Sequence, residues 1–585
     1  MQSVLCGGKE ILMVDKLTAY RLANTPLPKV NRLWPLYGAG LENLGLDNKP
    51  IEVSMPTYGP DELLVRHDAC GLCFSDIKVI KLGENHPRIF RDISKEPIVL
   101  GHEVCMTVVG VGENLRDQYK VGDRFIIQAD IKVGGVGYAY GYMIQGGLSQ
   151  YNVIDQRILN GDDGNYLIPV RPTTGYVESA LVEPWACVIA AYRLRYRTSL
   201  KPGGTLWVIG PSSAVSEELP YTISAGFDEE AHPARLILTR VPPRFAAWLK
   251  ERAAQLGITV AETTDLSAPP FHPVDDLVLL HPTAEEIETV SPYLADFGVA
   301  ALVGELGLTR PVSIDVGRIH YNRWVYVASK SPDVARAYSD VPVRSALRKG
   351  GRVWFVGAGG PMGRMHVQRA VQLADGPSTI VCSDVSDLRL RDLCDSYGAE
   401  AEAKGIRWIC VNPMNKEAYE STMAEFLREG FDDIIVLVPV PSVIADAAHY
   451  LAPRGVMNIF AGVQRGTMAD LDLVELFARD ARVIGHSASD IEDMQVMLMQ
   501  VEAGELDTNR SLAAVGSLEA ARDGMQAVID ALFPGKIVIF PNIKPLPLTP
   551  LPELKEKMPS VYARLKDGRE WTREAEEEFL RLMLP

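Results

Sequence analysis

The chain contains no apolar run approaching the ~20 residues of a membrane-spanning helix, and the ILMV patch at 11–14 is too brief for a secretory signal. Both absences predict a cytoplasmic protein that enters no membrane. Positive charge is in deficit. Lys and Arg number 59 against 75 Asp and Glu, a formal charge of −16, so neither nucleic acid nor an anionic membrane surface is an expected partner. Cysteine is sparse as well. Of the eight present only Cys70 and Cys73 are near neighbours, which excludes a disulfide framework and leaves thiols for metal chemistry or core packing. What the chain does have is length: 585 residues exceed one hydrophobic core and predict three or four domains acting on a small soluble molecule.

From Pro60 to Arg124 short β-branched runs (ELLVRHDAC, MTVVGVG, RFIIQADI) alternate with Gly, Asp and Pro, the pattern of a compact β-rich unit. Three segments then offer metal-ligating side chains: CGLCFSD at 70–76, GHE at 101–103 and VEPWAC at 182–187. Each alone reads as packing or surface, because a lone cysteine is ordinarily a small buried hydrophobe. Together they match a catalytic zinc, which needs about three ligands from thiolate, imidazole and carboxylate and one open position. Cys73, His102 and Glu183 supply one of each, with Glu103 adjacent. Such a centre polarises an alcohol or ketone oxygen while a second molecule exchanges the hydride. Ser75, two residues past Cys73, is a candidate proton relay, and Asp76 a candidate acceptor that orients His102. An ordinary turn is the plainer reading of that pair.

Residues 350–390 read as strand, glycine turn, helix, strand and acid. The strand RVWFVG runs into GAGGPMG (357–363), and TIVCSD ends in Asp384. A turn of this kind admits a pyrophosphate to a helix N-terminus, and an acid about 20 residues on accepts the ribose hydroxyls. The spacing departs from strict G-x-G-x-x-G. Gly357, Gly359, Gly360 and Gly363, with Pro361 and Met362 among them, can be registered in two ways. Asp384 repels a 2′-phosphate, so NAD is expected over NADP, while Arg389 would suit the second.

The chain also repeats itself. VDDLVLLHP (274–282) matches FDDIIVLVP (431–439), and the match runs ungapped through 304 and 461 with identities that include Pro282, Tyr293 and Gly298. Agreement at Pro, Tyr and Gly points to duplication rather than convergent patterning. Upstream, TLWVIG (205–210) matches VWFVG (353–357) at a smaller shift, so the first copy is shorter in between. Where the second copy has GAGGPMG the first has GPSSAVS: Pro211 offers no N–H, and Ser212 and Ser213 crowd a phosphate. Arg240 stands where the second copy has Asp384. A degenerate scaffold is the favoured reading of the first copy, and an NADP site with Arg240 on the 2′-phosphate the alternative.

CFSD (73–76), GHE (101–103), VGDR (121–124), GGLSQY (146–151) and EP (183–184), in this order, resemble the zinc-dependent medium-chain dehydrogenases/reductases of the alcohol dehydrogenase superfamily. GHEVC, LVEPWACVI, GPMG, FAG at 460–462 and the PLTPL ending are similar to the L-sorbose 1-phosphate reductase-like sugar and polyol phosphate dehydrogenases within it. The resemblance covers 17–200 and 346–551 and implies an α/β fold. A GroES-like β-rich catalytic domain (1–195) is followed by two tandem Rossmann-type doubly wound parallel sheets, a degenerate one at 196–345 and an NAD-binding one at 346–490. A return to the catalytic domain and a tail follow at 491–585. It implies Cys73, His102 and Glu183 as zinc ligands, Glu103 adjacent or exchanging, and a polyol, sugar or sugar phosphate as substrate. Arg88 and Arg91 near the zinc loop are candidates for a phosphate, but exposed, solvated arginines are the favoured reading of them. Met106 departs from the glycine usual three residues after the GHE motif, and the stretch after Arg124 lacks the four cysteines of a second, structural zinc, so one zinc is expected. The family commonly dimerises through the edges of its nucleotide sheets. The duplicated copy suggests either that homo-oligomer or a monomer in which 324–329 pairs with 481–486.

Zinc- and NAD-dependent oxidation of a secondary alcohol is the leading functional reading. A lyase or epimerase that holds NAD and oxidises its substrate transiently is the alternative, separated from it by the absence of net NADH. A non-catalytic redox sensor is a third, opposed by the intact ligand set.

Overall fold

The computed structural model describes all residues except 1–2, 7–8, 13–14, 194–195, 213–218, 306 and 340–345. The boundaries expected at 195 and 345, and Ser213, lie outside the described residues. The chain divides into two compact units, Met1–Ile189 with Ser489–Pro585, and Ala190–Ala488.

The first unit is built on β1 (Leu63–Gly71), a wholly buried strand despite its central Arg66, His67 and Asp68. Those polar groups are tolerated because each finds a partner: Arg66 Nε donates to Asp68 at 2.8 Å and His67 meets Tyr140 Oη at 2.6 Å. β1 pairs antiparallel with β2 (Glu103–Val111), which pairs with β3 (Arg124–Ile127), while β4 (Tyr151–Ile154) lies on β1 and β5 (Leu167–Pro169) on β3. Met106, fully buried, sits opposite His67 in this sheet. Helix α1 (Phe74–Leu82) follows β1, and α2 (Val182–Ala190) ends the segment.

The second unit holds two six-stranded parallel sheets. The first contains β6 (Thr205–Ile209), β7 (Arg235–Thr239), β8 (Thr259–Glu262), β9 (Val274–Leu280), β10 (Leu294–Val303) and, past β11 (Val312–Asp315) and α3 (Val316–Asn322), β12 (Val325–Ser329). The second contains β13 (Arg352–Val356), β14 (Thr379–Ser383), β15 (Arg407–Val411), β16 (Phe431–Val436), β17 (Leu451–Ile459) and, past β18 (Met468–Leu471), β19 (Arg482–Gly485). Both run in the order third, second, first, fourth, fifth, last, the doubly wound dinucleotide topology. Even the irregularities repeat: the fourth and fifth strands slip register between Val274 and Asp276 in one sheet and between Phe431 and Asp433 in the other.

The anticipated ladder between 324–329 and 481–486 is not formed. β12 pairs with β10 and β19 with β17, no ladder joins β12 to β19, and the backbone of His320 in α3 packs over Gly485. The two copies are joined instead by β11 and β18, which pair antiparallel from Val312 opposite Leu471 to Asp315 opposite Met468. A single apolar cluster runs through both, from Trp207 and Ile314 to Ile434 and Leu471.

The chain then returns to the first unit. β20 (Leu512–Ser517), β21 (Lys536–Phe540) and β22 (Thr549–Pro550) extend its sheet, with β21 antiparallel to β1 at Cys70 and Gly71. The last helix expected from TREAEEEFLRLM is present at Arg573–Met583.

Candidate metal centre and dinucleotide loop

The register of the first unit's sheet gathers the metal-ligating side chains. Gly71 at the end of β1 lies opposite Glu103 at the start of β2. A Cβ on Gly71 would stand 2.1 Å from Glu103 Oε2, so the missing side chain is the space the carboxylate fills. Cys73 follows at the N-cap of α1, where its N–H donates to Asp76 Oδ2 at 3.0 Å. The same carboxylate uses Oδ1 to accept from Gly101 N–H at 3.4 Å and His102 Nδ1 at 3.2 Å. Asp76 therefore fixes the helix start, the GHE turn and the imidazole together. With Nδ1 so engaged, Nε2 is the ring nitrogen left to act as a ligand.

One donor atom each from Cys73, His102 and Glu103 lie within 4.8 Å of one another. Ligands of a tetrahedral zinc stand about 3.3–3.8 Å apart given its usual bond lengths, so the grouping suits such an ion. Two further observations test the fit. Glu103 Oε2 is buried and meets no hydrogen-bond partner among the described residues. Burial disfavours a charged His102, but the Asp76 carboxylate and the Cys73 sulfur outweigh it and hold the ring well above the usual imidazole range. The cluster is one that attracts positive charge.

Glu183 in α2 is partly exposed and stands outside that trio. Burial pushes its carboxyl up to about 7, with His102 pulling it down and Glu103 pushing it up, so it feels both. Ser75 Oγ lies 3.4 Å from Cys73 Sγ. Arg88 is engaged by Asp130 at 2.6 Å and lies over Tyr142, and Arg91 donates to Pro97 O at 3.3 Å.

Two residues at the site were not anticipated. Lys536, buried at the start of β21, donates to Glu103 Oε1 at 2.5 Å and to Leu72 O at 2.8 Å. It cancels one charge of the acidic group and fixes which oxygen faces the cluster. Its signal was a lysine opening the apolar run KIVIF, an expensive place for a charge without a partner. Tyr142, whose ring is edge-on to His102 at 6.2 Å and to His86 at 5.4 Å, comes from the stretch without cysteines, where nothing in sequence marked it.

In the second unit, GAGGPMG joins β13 to α4 (Pro361–Gln372). Gly357 turns the chain with φ +82°. Gly359 N–H donates to Asp384 Oδ2 at 2.9 Å, and Ser386 N–H to Oδ1 at 2.9 Å. A Cβ on Gly363 would stand 2.4 Å from Ala358 O, whereas one on Gly360, the N-cap, would meet nothing within 4 Å. The two registers open in sequence thus resolve into roles: Gly357 for the turn, Gly363 for helix-to-loop packing, Gly360 for open space at the helix N-terminus. Pro361 and Met362 form the first turn of α4, and Arg389 lies in α5 (Asp387–Leu393) with its Cβ against Gly359.

The first copy differs at each of these points. Among the described residues no helix connects β6 to β7. Arg240 follows β7 as Asp384 follows β14, but its guanidinium is held by Glu286 at 2.5 Å. The shortening falls mainly after the third strand: 263–273 carries no helix, whereas 412–430 carries Lys416–Ala424 and Phe426–Glu429.

Residues 59–160 match the alcohol dehydrogenase GroES-like domain. The chain is 21% identical over 528 residues to L-sorbose 1-phosphate reductase of Klebsiella pneumoniae, covering 89% of this chain and 92% of the relative. It is 31% identical over 201 residues to mannitol-1-phosphate 5-dehydrogenase of Aliivibrio fischeri, where it spans 32% of this chain and only 45% of the relative. Among solved structures, 2R,3R-butanediol dehydrogenase from Bacillus subtilis shares the fold with a TM-score of 0.50 at 15% identity, covering 88% of this chain and all of that one. The GroES-like match thus falls in the first unit, the long alignment runs to a sugar-phosphate reductase, and the solved dehydrogenase shares the fold, while this chain carries two doubly wound sheets of the same strand order.

Proposed function

We propose that the protein is a zinc- and NAD-dependent oxidoreductase that interconverts a secondary alcohol of a polyol, sugar or sugar phosphate with its ketone. The observation that carries the reading is the orphaned, buried Glu103 Oε2 grouped with Cys73 and His102. These three would hold one zinc, with Glu183 as the further ligand. When bound, the ion supplies Lewis acidity that lowers the pKa of a coordinated alcohol. The chain's own groups do the rest. Asp76 holds His102 in the tautomer that presents Nε2, Lys536 pins Glu103, and Ser75, beside Cys73, takes up the hydroxyl proton and passes it outward. In the other unit, Gly360 and the first turn of α4 receive the pyrophosphate and Asp384 the ribose, which favours NAD over NADP.

The substrate class is that of the relatives named above. The test is metal analysis of protein never exposed to chelator, followed by a screen of polyols, ketoses and their phosphates for nicotinamide absorbance change. One zinc per chain and stoichiometric NADH are expected. Zinc far below one per chain would remove the proposal, and turnover without net NADH would replace it with the transient-oxidation chemistry of a lyase or epimerase.

A further inference from the structure

Three cysteines gather where neither the metal centre nor the dinucleotide loop uses them. Cys382 lies in β14, Cys410 stands beside it in register on β15, and Cys394 follows α5 at the start of a five-residue π-type turn. The Cys394 and Cys410 sulfurs are 3.0 Å apart. Both residues are partly exposed, whereas Cys382 is buried, so a solvent-borne reagent reaches the first two and not the third. A disulfide bond is about 2.05 Å long, and closing this pair therefore takes a displacement of roughly 1 Å, within the reach of side-chain rotation.

We infer that Cys394 and Cys410 form a reversible dithiol–disulfide modification site whose reagent is a small disulfide such as glutathione disulfide. The thiolate of one cysteine attacks a sulfur of the reagent, forming a mixed disulfide and releasing one glutathione thiolate. The second cysteine attacks the protein-side sulfur of that mixed disulfide and releases the other. Two protein thiols are oxidised to one disulfide, the reagent is reduced to two glutathione molecules, and the two protons pass to the glutathione thiolates or to solvent. Contact with Cys382, then burial, pushes the Cys410 thiol up to about 12, so the exchange is slow near neutrality and accelerates with rising pH. The bond ties the end of α5 to β15. The first turn of that helix carries Arg389 against the glycine loop, so oxidation stiffens the wall beside the dinucleotide site.

The experiment is disulfide mapping by mass spectrometry on the zinc-loaded full chain equilibrated across glutathione redox buffers and quenched by alkylation. The expected result is a Cys394–Cys410 linked peptide, lighter by two hydrogens than the two free peptides, that forms several-fold faster at pH 8.5 than at pH 7 and reverts with dithiothreitol. Trp408 Nε1 donates to Cys394 Sγ at 3.3 Å, so oxidation also changes a tryptophan emission component that Trp408→Phe removes. Cys394→Ser and Cys410→Ser each eliminate the linked peptide. Free alkylation of both residues at every redox ratio, accumulation of glutathione adducts without the link, or a link from Cys410 to Cys382 would each overturn the assignment. These three overturning outcomes are read on the unmodified sequence and do not depend on any variant folding.

Discussion

In each half of the 190–488 unit an aspartate pair at the start of the fourth strand holds the chain that enters the first. Asp275 accepts from Thr205 N–H at 2.9 Å and Asp276 from Lys201 N–H at 2.9 Å. Asp432 accepts from Arg352 N–H at 2.8 Å and Asp433 from Arg348 N–H at 2.9 Å. A tryptophan in the first strand bonds the hydroxyl ending the second in both, Trp207 to Thr239 and Trp354 to Ser383, each at 2.9 Å. The copies part at the glycine loop, the helix behind it and the residue after the second strand, and again after the third strand, where the first copy is shorter. Under the function proposed above, contacts that maintain the sheet are separable from those that bind a dinucleotide, and the first copy keeps the first set alone.

The strongest way to break this comparison is to fill the second loop. Gly363→Val drives a side chain into Ala358 O and is expected to weaken NAD binding at least about 100-fold, roughly 3 kcal/mol, while zinc content is unchanged. Ser212→Val in the first copy should leave NAD affinity as it was. Isothermal titration of both variants decides it, and residual binding in the first of them, or loss in the second, would assign cofactor to the wrong copy here. Next in size are the shared aspartates. Asp432→Ala and Asp275→Ala each remove a charged acceptor from a strand N–H and should destabilise by about 2 kcal/mol, equally within ~0.5 kcal/mol in denaturant titrations. A clear inequality would mean that the copies no longer share one structural role for the pair.

The ribose position gives a smaller contrast. Asp384→Ala should weaken NAD about tenfold, a loss of some 1.4 kcal/mol, and narrow the preference over NADP. Arg240→Ala, with its guanidinium on Glu286, should alter neither affinity, as measured with both nucleotides. A drop in NADP binding would revive the 2′-phosphate reading of the first copy.

The sequence made this contrast visible because its signals are local. A glycine loop, a missing N–H at Pro211 and an acid after a strand are each read within a few residues, and the repeat is carried by ungapped identities such as Pro282 with Pro439. Cys73, His102 and Glu103 were legible for the same reason, each lying in a short motif. What was not legible depends on register between distant strands. Lys536 reaches Glu103 across 433 positions, and Tyr142 meets His102 through packing that no periodicity encodes. The join between copies failed differently: edge strands were expected to pair because both ends are strands, yet β12 and β19 form no ladder and β11 with β18 makes one instead.

The subtlest contrast is in acid. His366, in the helix behind the second loop, is fully buried, with Nδ1 2.8 Å from Tyr192 Oη. Burial, and then Arg369, push its pKa down to about 3. An unfolded histidine titrates near 6.5, so between these values the unfolded chain binds the extra proton. Stability from the neutral ring is complete above about pH 6.5 and is lost as pH falls through the window toward 3. At pH 6 the loss is about 0.8 kcal/mol. The first copy has no described helix at this place, so amide exchange in β13 and β14 should quicken on passing from pH 7 to pH 6, after correction for intrinsic rates, while β6 and β7 change less. Equal acceleration in the two sheets would show that they open as one cooperative body through the β11–β18 ladder, and the independence of the copies would then hold for ligand binding but not for folding.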